Sequence, residues 1–395
     1  HVIVIGAGLA GLTVAIALAK GNHQVEILES APEITYIGAG IQVSPNSSRI
    51  LRRLGIDEYI ERYCTEPIDL RMMRWKNGQI LVECPLKEPA HKDYRSPYWH
   101  IHRADLHRGL LEAAVDLGCK FHLDARVVSI DPDAGSVLTK DDETYSADLI
   151  VASDGLNSIA RGVVTGGPAD PIPTGQMAYR VTLPTAKLRG IPELEEIITV
   201  PRNNHWLGPH GTILSYLLEG QNEPLINFVF TCDGWDPRIE QMLELVEKVL
   251  YWRLYTHEPL ASWSHPSHRL VLIGDAAHAM TPYLAQGAAM GIEDAAILGG
   301  ILSHPRYSSP RTLPAALPLY ERLRLSRANK VAAVSIESRW FTQMEDGEKQ
   351  RERDAWLLLH PGIEEGHINV RSDKVWLDEL FGYDAYQVLE EVLGE

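Results

Sequence analysis

Three features predict an α/β fold in which a nucleotide-binding βαβ unit carries an inserted sheet-rich lobe and a helical C-terminal region. Three short apolar runs, at residues 1–5, 149–152 and 270–273, each deliver the chain onto a glycine turn, as buried parallel strands do. Residues 176–260 are instead strand-like and rich in Tyr, Val, Ile and Phe, while amphipathic helical periodicity dominates from Leu313 onward. A chain of 395 residues exceeds what one core can fill, since cores stop growing near roughly 250–300 residues, so two or three packed lobes are expected.

The first unit is sharply written. Residues 1–5 form a strand, Gly6-Ala7-Gly8-Leu9-Ala10-Gly11 follows, residues 12–20 are helical, and residues 25–28 form a second strand ending at Glu29. In this pattern Gly6 makes a tight turn, Gly8 lets a pyrophosphate approach the backbone, and Gly11 lets the helix pack on the strand. Leu9 and Ala10 lie where helix N-terminal amides face the phosphates. Glu29, about twenty residues on, can hydrogen-bond a ribose hydroxyl and disfavours a 2′-phosphate. An adenine dinucleotide is implied, although the motif alone does not distinguish FAD from NAD.

A helix is expected over residues 45–54, with Ser44 and Asn46 to Ser48 as N-cap residues. Residues 70–84 read as a hairpin around Asn77-Gly78, followed by a helix over 103–117 and short strands near 120–130, 136–140 and 149–152. The last of these runs into Asp154-Gly155, with Arg161 one helical turn beyond Ser158. Strands are expected at 177–183, 212–217 and 225–231, and a helix at 242–252. The passage through Cys232 and Asp233 into Gly234-Trp235-Asp236-Pro237 is abrupt enough that a loop is expected to be missing there. Residues before His1 are expected as well. Finally Leu270-Val271-Leu272-Ile273-Gly274-Asp275 brings a single acid onto a glycine turn, before Pro282, Ala285-Gln286-Gly287-Ala288, Gly291 and Glu293-Asp294.

Composition narrows the function classes. With 45% hydrophobic and 23% charged residues the chain is ordinary globular protein. A formal net charge of −16 leaves no basic footprint for nucleic acid. Four cysteines without CxxC spacing suggest neither zinc nor disulfides, and no HxH or HExxH motif occurs, so no metal is expected and a reducing, cytoplasmic setting fits. The apolar stretch at 2–19 is broken by glycines, and the C-terminal residues are too charged for an anchor, so no transmembrane segment is expected.

Taken together, the three glycine-turn segments resemble the group A FAD-dependent aromatic monooxygenases, which include salicylate, 3-hydroxybenzoate and 6-hydroxynicotinate hydroxylases; the likeness reaches to about Asn329. That resemblance implies an FAD-binding, Rossmann-like domain of the glutathione-reductase βαβ type at 1–69, 97–175 and 262–330. It implies a substrate domain with a mixed or antiparallel sheet at 70–96 and 176–261, and a C-terminal helical region at 331–395. By the same resemblance the first motif and Glu29 hold the ADP half of FAD, Asp154 and Gly155 sit near the pyrophosphate and NAD(P)H, and Asp275 binds the ribityl and pyrophosphate region. Pro282, Gln286, Gly287 and Ala288 lie against the isoalloxazine, as do Gly40 and Ile41 in the loop Tyr36-Ile37-Gly38-Ala39-Gly40-Ile41-Gln42, and Arg103 contacts its side. Only one dinucleotide fingerprint is present, so NADH or NADPH is expected as a transient co-substrate rather than a resident of a second domain.

The resemblance implies that NAD(P)H reduces FAD, that O2 then forms a C4a-hydroperoxide, and that this attacks an activated ring such as a phenol. Fungal salicylate-hydroxylase-like proteins are the nearest pattern, favouring a small phenolic or aromatic carboxylic acid substrate, with or without decarboxylation. Candidate catalytic residues are Arg180 and Tyr216, which grip the phenolate in related fungal enzymes, with His210 and Pro282. Arg180 can equally bridge the sheet to a surface acid, and His205, His210 and His278 can be structural. An FAD oxidase or dehydrogenase on the same fold is the rival reading. The C-terminal helices can cap the substrate lobe or join two chains as a homodimer; sequence does not choose.

Overall fold

Val2–Ile5 is buried along its whole length, as an apolar strand flanked by neighbours on both edges must be. In the computed structural model it pairs in parallel with Val25–Leu28 and Leu149–Ala152. Leu270–Leu272 and Lys120–His122 complete a five-stranded parallel sheet. Residues 1–34, 38–220, 223–230 and 235–394 are described, Val229 and Phe230 by backbone alone. The expected flavin-flanking positions Tyr36 and Ile37, and the abrupt joint at Asp233-Gly234, lie outside them.

Helices Leu9–Lys20 and Gly287–Ser303 cover the parallel sheet, and they touch through missing side chains. A Cβ on Gly291 would lie 2.9 Å from the Ala10 Cβ, and one on Gly299 would lie 2.5 Å from that of Ala17. The core formed here continues into the C-terminal helices through Trp376, Leu380, Phe381 and Leu389. Glycine spacing on one helix and alanine spacing on the other thus fix how the nucleotide turn sits against the 287–303 helix.

The second sheet has seven strands in the order Leu250–Thr256, Ile172–Pro184, Leu225–Phe230, Gly211–Leu218, Asn203–Gly208, Asp69–Arg74 and Ile80–Pro85. The expected hairpin is present, turning at Gly78 with φ +63°. Helix Pro237–Glu244 ends earlier than expected, and the 242–252 reading is corrected: Leu250–Thr256 is a strand paired with Ile172–Pro184. Its Tyr251, Trp252 and Tyr255 suit a pleated surface, and that pairing overrides the helical spacing.

One face of this sheet is apolar and packs Trp206, Val181, Ile213 and Phe228 among themselves. The other is polar. Register places His205 opposite Leu214 and Tyr216 opposite Asn227, while Leu214 and Arg180 both stand opposite position 229. Since side chains alternate with period two, Asn203, His205, Tyr216, Asn227 and Arg180 share the polar face. Over it lies a short ribbon, Gly40–Val43 paired with Trp99–His102. Beyond the sheets come the 30-residue helix Leu313–Thr342 and helices Glu348–Leu359, Lys374–Phe381 and Ala385–Leu393. No helix among the described residues is long and apolar enough to cross a membrane.

Candidate active site

The nucleotide turn has the geometry its residues imply. Gly6 takes φ +95°, where a Cβ would meet the Ser153 carbonyl oxygen at 2.7 Å, and a Cβ on Gly11 would strike the Gly6 carbonyl. Gly8 has no atom of another described residue within 4 Å of its absent side chain, so the backbone there is open to an incoming group. Leu9 and Ala10 begin the helix directly behind it. The Ala7 and Ala31 amides each donate to Glu29 at 2.8 Å and hold it beside the turn.

Asp275 stands exposed at the end of the buried 270–272 strand, between Gly274 and the fully buried Ala276. Gly274 reaches φ +59°, and its amide donates to Asp294 at 2.9 Å. Arg161, singled out only by its spacing, is buried and donates to the carbonyls of Ala276 and Ala277, clamping the turn from behind. Arg103 begins helix Arg103–Asp116, and its amide donates to Ala39. Burial lowers the Arg103 pKa and Asp275 opposes that, so the two charges share one neighbourhood. Asp154 caps Ile159 and Ala160, yet its Oδ1 is buried without a partner among the described residues, and burial raises its pKa. Beside it, no described residue comes within 4 Å of a Cβ built on Gly155.

These features fit FAD: an open glycine backbone, a held acid for a ribose, an exposed carboxylate at a strand end, and a buried acceptor without a donor. Family comparison decides the matter, with the FAD binding domain family matching residues 1–205 and 255–335. This chain belongs to that family. It is 34% identical to the FAD-dependent monooxygenase OpS4 of Beauveria bassiana, over 100% of this chain and 97% of that one. It is likewise 34% identical to the 3-amino-4-hydroxybenzoate 2-monooxygenase PtmB3 of Streptomyces platensis, over 90% and 91%. A salicylate hydroxylase solved with substrate has the same fold, with a TM-score of 0.79 at 24% identity, covering 98% of this chain and 97% of that one. The protein is an FAD-dependent aromatic monooxygenase.

In this monooxygenase Pro282 opens the single turn Pro282–Leu284, Ala285 follows at φ +55°, and Gly287 and Ala288 begin helix Gly287–Ser303. Gln286 is pulled inward, donating to Ser44 at 2.9 Å and accepting from Asn46 at 3.1 Å. Asn46 also donates to Glu293 at 2.7 Å. Helix Pro45–Arg53 is therefore not capped by a Ser44 side chain as expected, because Ser44 and Asn46 are committed to this buried network. Glu293 and Asp294 are both fully buried and are met by Arg324, Arg327 and His278. Sequence reading noted the two acids but missed these partners; an acidic pair inside an otherwise apolar helix was the available signal.

On the polar sheet face Arg180 donates to the Gly40 carbonyl at 3.3 Å, and its guanidinium carbon lies 4.7 Å from the Trp252 ring centre. Its Nε is sealed and without a partner among the described residues. Tyr216 packs against Gly40, the Gly40 amide donates to Asn227 at 2.8 Å, and Ile41 follows on the ribbon. Burial raises the Tyr216 pKa while Arg180 opposes it. His210 is not brought to this face: it sits on the hairpin turn at φ +60° with its side chain 72% exposed, 3.7 Å from Glu345.

Two residues absent from the sequence reading belong to the wall. His100 packs at a tilt against Tyr216 with ring centres 4.3 Å apart, and both its nitrogens are buried without a partner among the described residues. Burial lowers its pKa to about 3, so it is neutral. Tyr98 donates to Gln42 at 2.7 Å.

Proposed function

We propose that this monooxygenase hydroxylates a small phenolic or aromatic carboxylic acid, with NAD(P)H as electron donor and O2 as oxygen source, with or without decarboxylation. Residues 1–69, 97–175 and 262–330 would hold FAD, and residues 70–96 and 176–261 the substrate. FAD, when bound, supplies the relay of two electrons from nicotinamide to dioxygen and the electrophilic oxygen. Glu29, Asp154, Asp275 and the Gly6–Gly11 turn would hold it, with Arg103 and the residue 282–288 turn beside its ring.

The observation that carries the substrate reading is the meeting of Arg180 and Tyr216 at Gly40. A guanidinium with a free donor favours a phenolate, because an opposite charge close by lowers a phenol's pKa, and phenolate is the more reactive ring. Tyr216, kept protonated by burial, can donate to the same oxygen. Ala, Gly and aromatic walls keep water away. The relative PtmB3 is named for a hydroxylated benzoate, which supports this class.

The test is oxidation of NADH and NADPH by FAD-loaded enzyme against phenols and hydroxybenzoates, following peroxide and carbon dioxide. Strong stimulation with little peroxide supports hydroxylation, and carbon dioxide release identifies attack at the carboxyl-bearing carbon. Turnover of an amine or alcohol without nicotinamide would replace this reading with that of an oxidase.

A further inference from the structure

A second cation reaches the substrate side from the C-terminal segment. Arg371 follows a turn in which Asn369 donates to the Met72 sulfur, so the segment lies over the 69–74 strand of the seven-stranded sheet. Its Nη2 donates to the Tyr283 carbonyl, tying it to the turn that begins at Pro282. Its Nε is buried with no partner, and no carboxylate pairs with it among the described residues. Burial lowers the Arg371 pKa, and the groups opposing this are Tyr98 and Cys84. Both are themselves raised by burial, to about 12 and about 11, and carry no charge at neutral pH. A half-buried cation with a sealed, unmatched Nε is costly unless something anionic meets it.

Arg371 lines a small recess with Leu70, Tyr98, Asn203, Leu284 and Trp376 whose cavity volume is about 30 Å3, room for a carboxylate group rather than a whole ring. Its walls are apolar and aromatic around few polar groups. Asn203 lies on the polar sheet face, and its Oδ1 is buried without a donor among the described residues. A planar fork matches a carboxylate, and an unpaired amide oxygen matches a hydroxyl.

We propose that Arg371 is the carboxylate anchor of the substrate pocket, with Asn203 accepting from a hydroxyl of the same ligand, so that the C-terminal segment selects aromatic hydroxy acids over neutral phenols. This rests on the hydroxylase reading above. Arg180 and Arg371 then divide the recognition, one facing the phenolate and the other the acid.

The experiment titrates FAD-loaded enzyme with 2,4-dihydroxybenzoate and with resorcinol, reading the flavin difference spectrum and stimulated NADH or NADPH oxidation. Arg371→Met should weaken the acid by about 10- to 100-fold and resorcinol by less than about threefold, with FAD still bound. If the variant loses FAD, Arg371→Lys replaces it, with an expected fall of about tenfold in acid preference. Equal losses for both ligands, or a wild-type enzyme that treats both alike, overturn the anchor while leaving the hydroxylase reading intact. A wild-type enzyme that neither probe perturbs or stimulates, yet which turns over an amine or alcohol, overturns both.

Discussion

The Tyr216 ring lies so close to Gly40 that a Cβ there would sit 2.7 Å from the tyrosine hydroxyl oxygen and 2.5 Å from a ring carbon. Glycine at position 40 is thus a condition for placing Tyr216, Asn227 and Arg180 against the backbone of one residue. Gly40→Ala should displace the ring, at a stability cost of about 1–3 kcal/mol from overpacking. It should lower kcat/KM about tenfold or more. Thermal melts beside steady-state kinetics check this, and an alanine variant unchanged in both would show that the contact tolerates a methyl group.

Asp275 is exposed at the end of a buried strand, backed by a glycine at positive φ and by the Arg161 clamp. A carboxylate so held does little for the fold and much for a ligand. Asp275→Ala should fold normally but purify largely without FAD, with the cofactor bound at least about tenfold more weakly. The ratio of flavin to protein absorbance reads this directly; a fully yellow, stoichiometric holoenzyme would remove Asp275 from the cofactor site.

Much of this was legible in the chain because each nucleotide-side feature is local. A glycine turn, the acid after it and the strand before it lie within a few residues, so Gly6, Gly8, Gly11, Glu29 and Asp275 declare themselves. Arg180 and Tyr216 were reachable through strand alternation and the resemblance. His100, Arg324 and Arg371 were not, because each acquires its meaning from a partner far along the chain: His100 from Tyr216, Arg324 from Glu293 and Asp294, Arg371 from Tyr283. The same distance misled the reading of residues 242–252, whose strand exists through pairing with residues 172–180.

Arg180→Ala should leave FAD bound, because the Gly40 carbonyl and Trp252 ring that Arg180 meets lie on the ribbon and sheet rather than at the nucleotide turn. Losing the guanidinium should raise the substrate KM by about 10- to 100-fold, or divert NAD(P)H oxidation into peroxide. Lysine should rescue poorly, since it offers a point charge instead of a fork. Simultaneous NAD(P)H and peroxide assays decide the matter, and unchanged coupling with unchanged KM would take Arg180 out of the pocket.

The buried acids set the acid limit of stability. Burial alone would raise the Glu293 carboxyl, but Arg324 and Arg327 outweigh it and hold it below its ordinary value of 4.5. Burial likewise acts against Asp294, yet His278 and Arg324 keep it below 3.8. Folded pKa values lower than unfolded ones mean that the unfolded chain binds protons first as pH falls. The contribution is therefore complete above about pH 4.5 and lost progressively below it. Glu293→Gln should cost about 3–5 kcal/mol at neutral pH, because Arg327 and one side of Arg324 lose their partner in the interior. It should also loosen Gln286 through Asn46, reaching the 282–288 turn without touching it. The gap between wild type and Glu293→Gln should then narrow as pH falls below 4.5, because the unfolded chain protonates Glu293 before the folded one does. Urea unfolding at several pH values measures the gap; one that stays constant from pH 7 down to the acid transition would mean that Glu293 is not held as a carboxylate by Arg324 and Arg327.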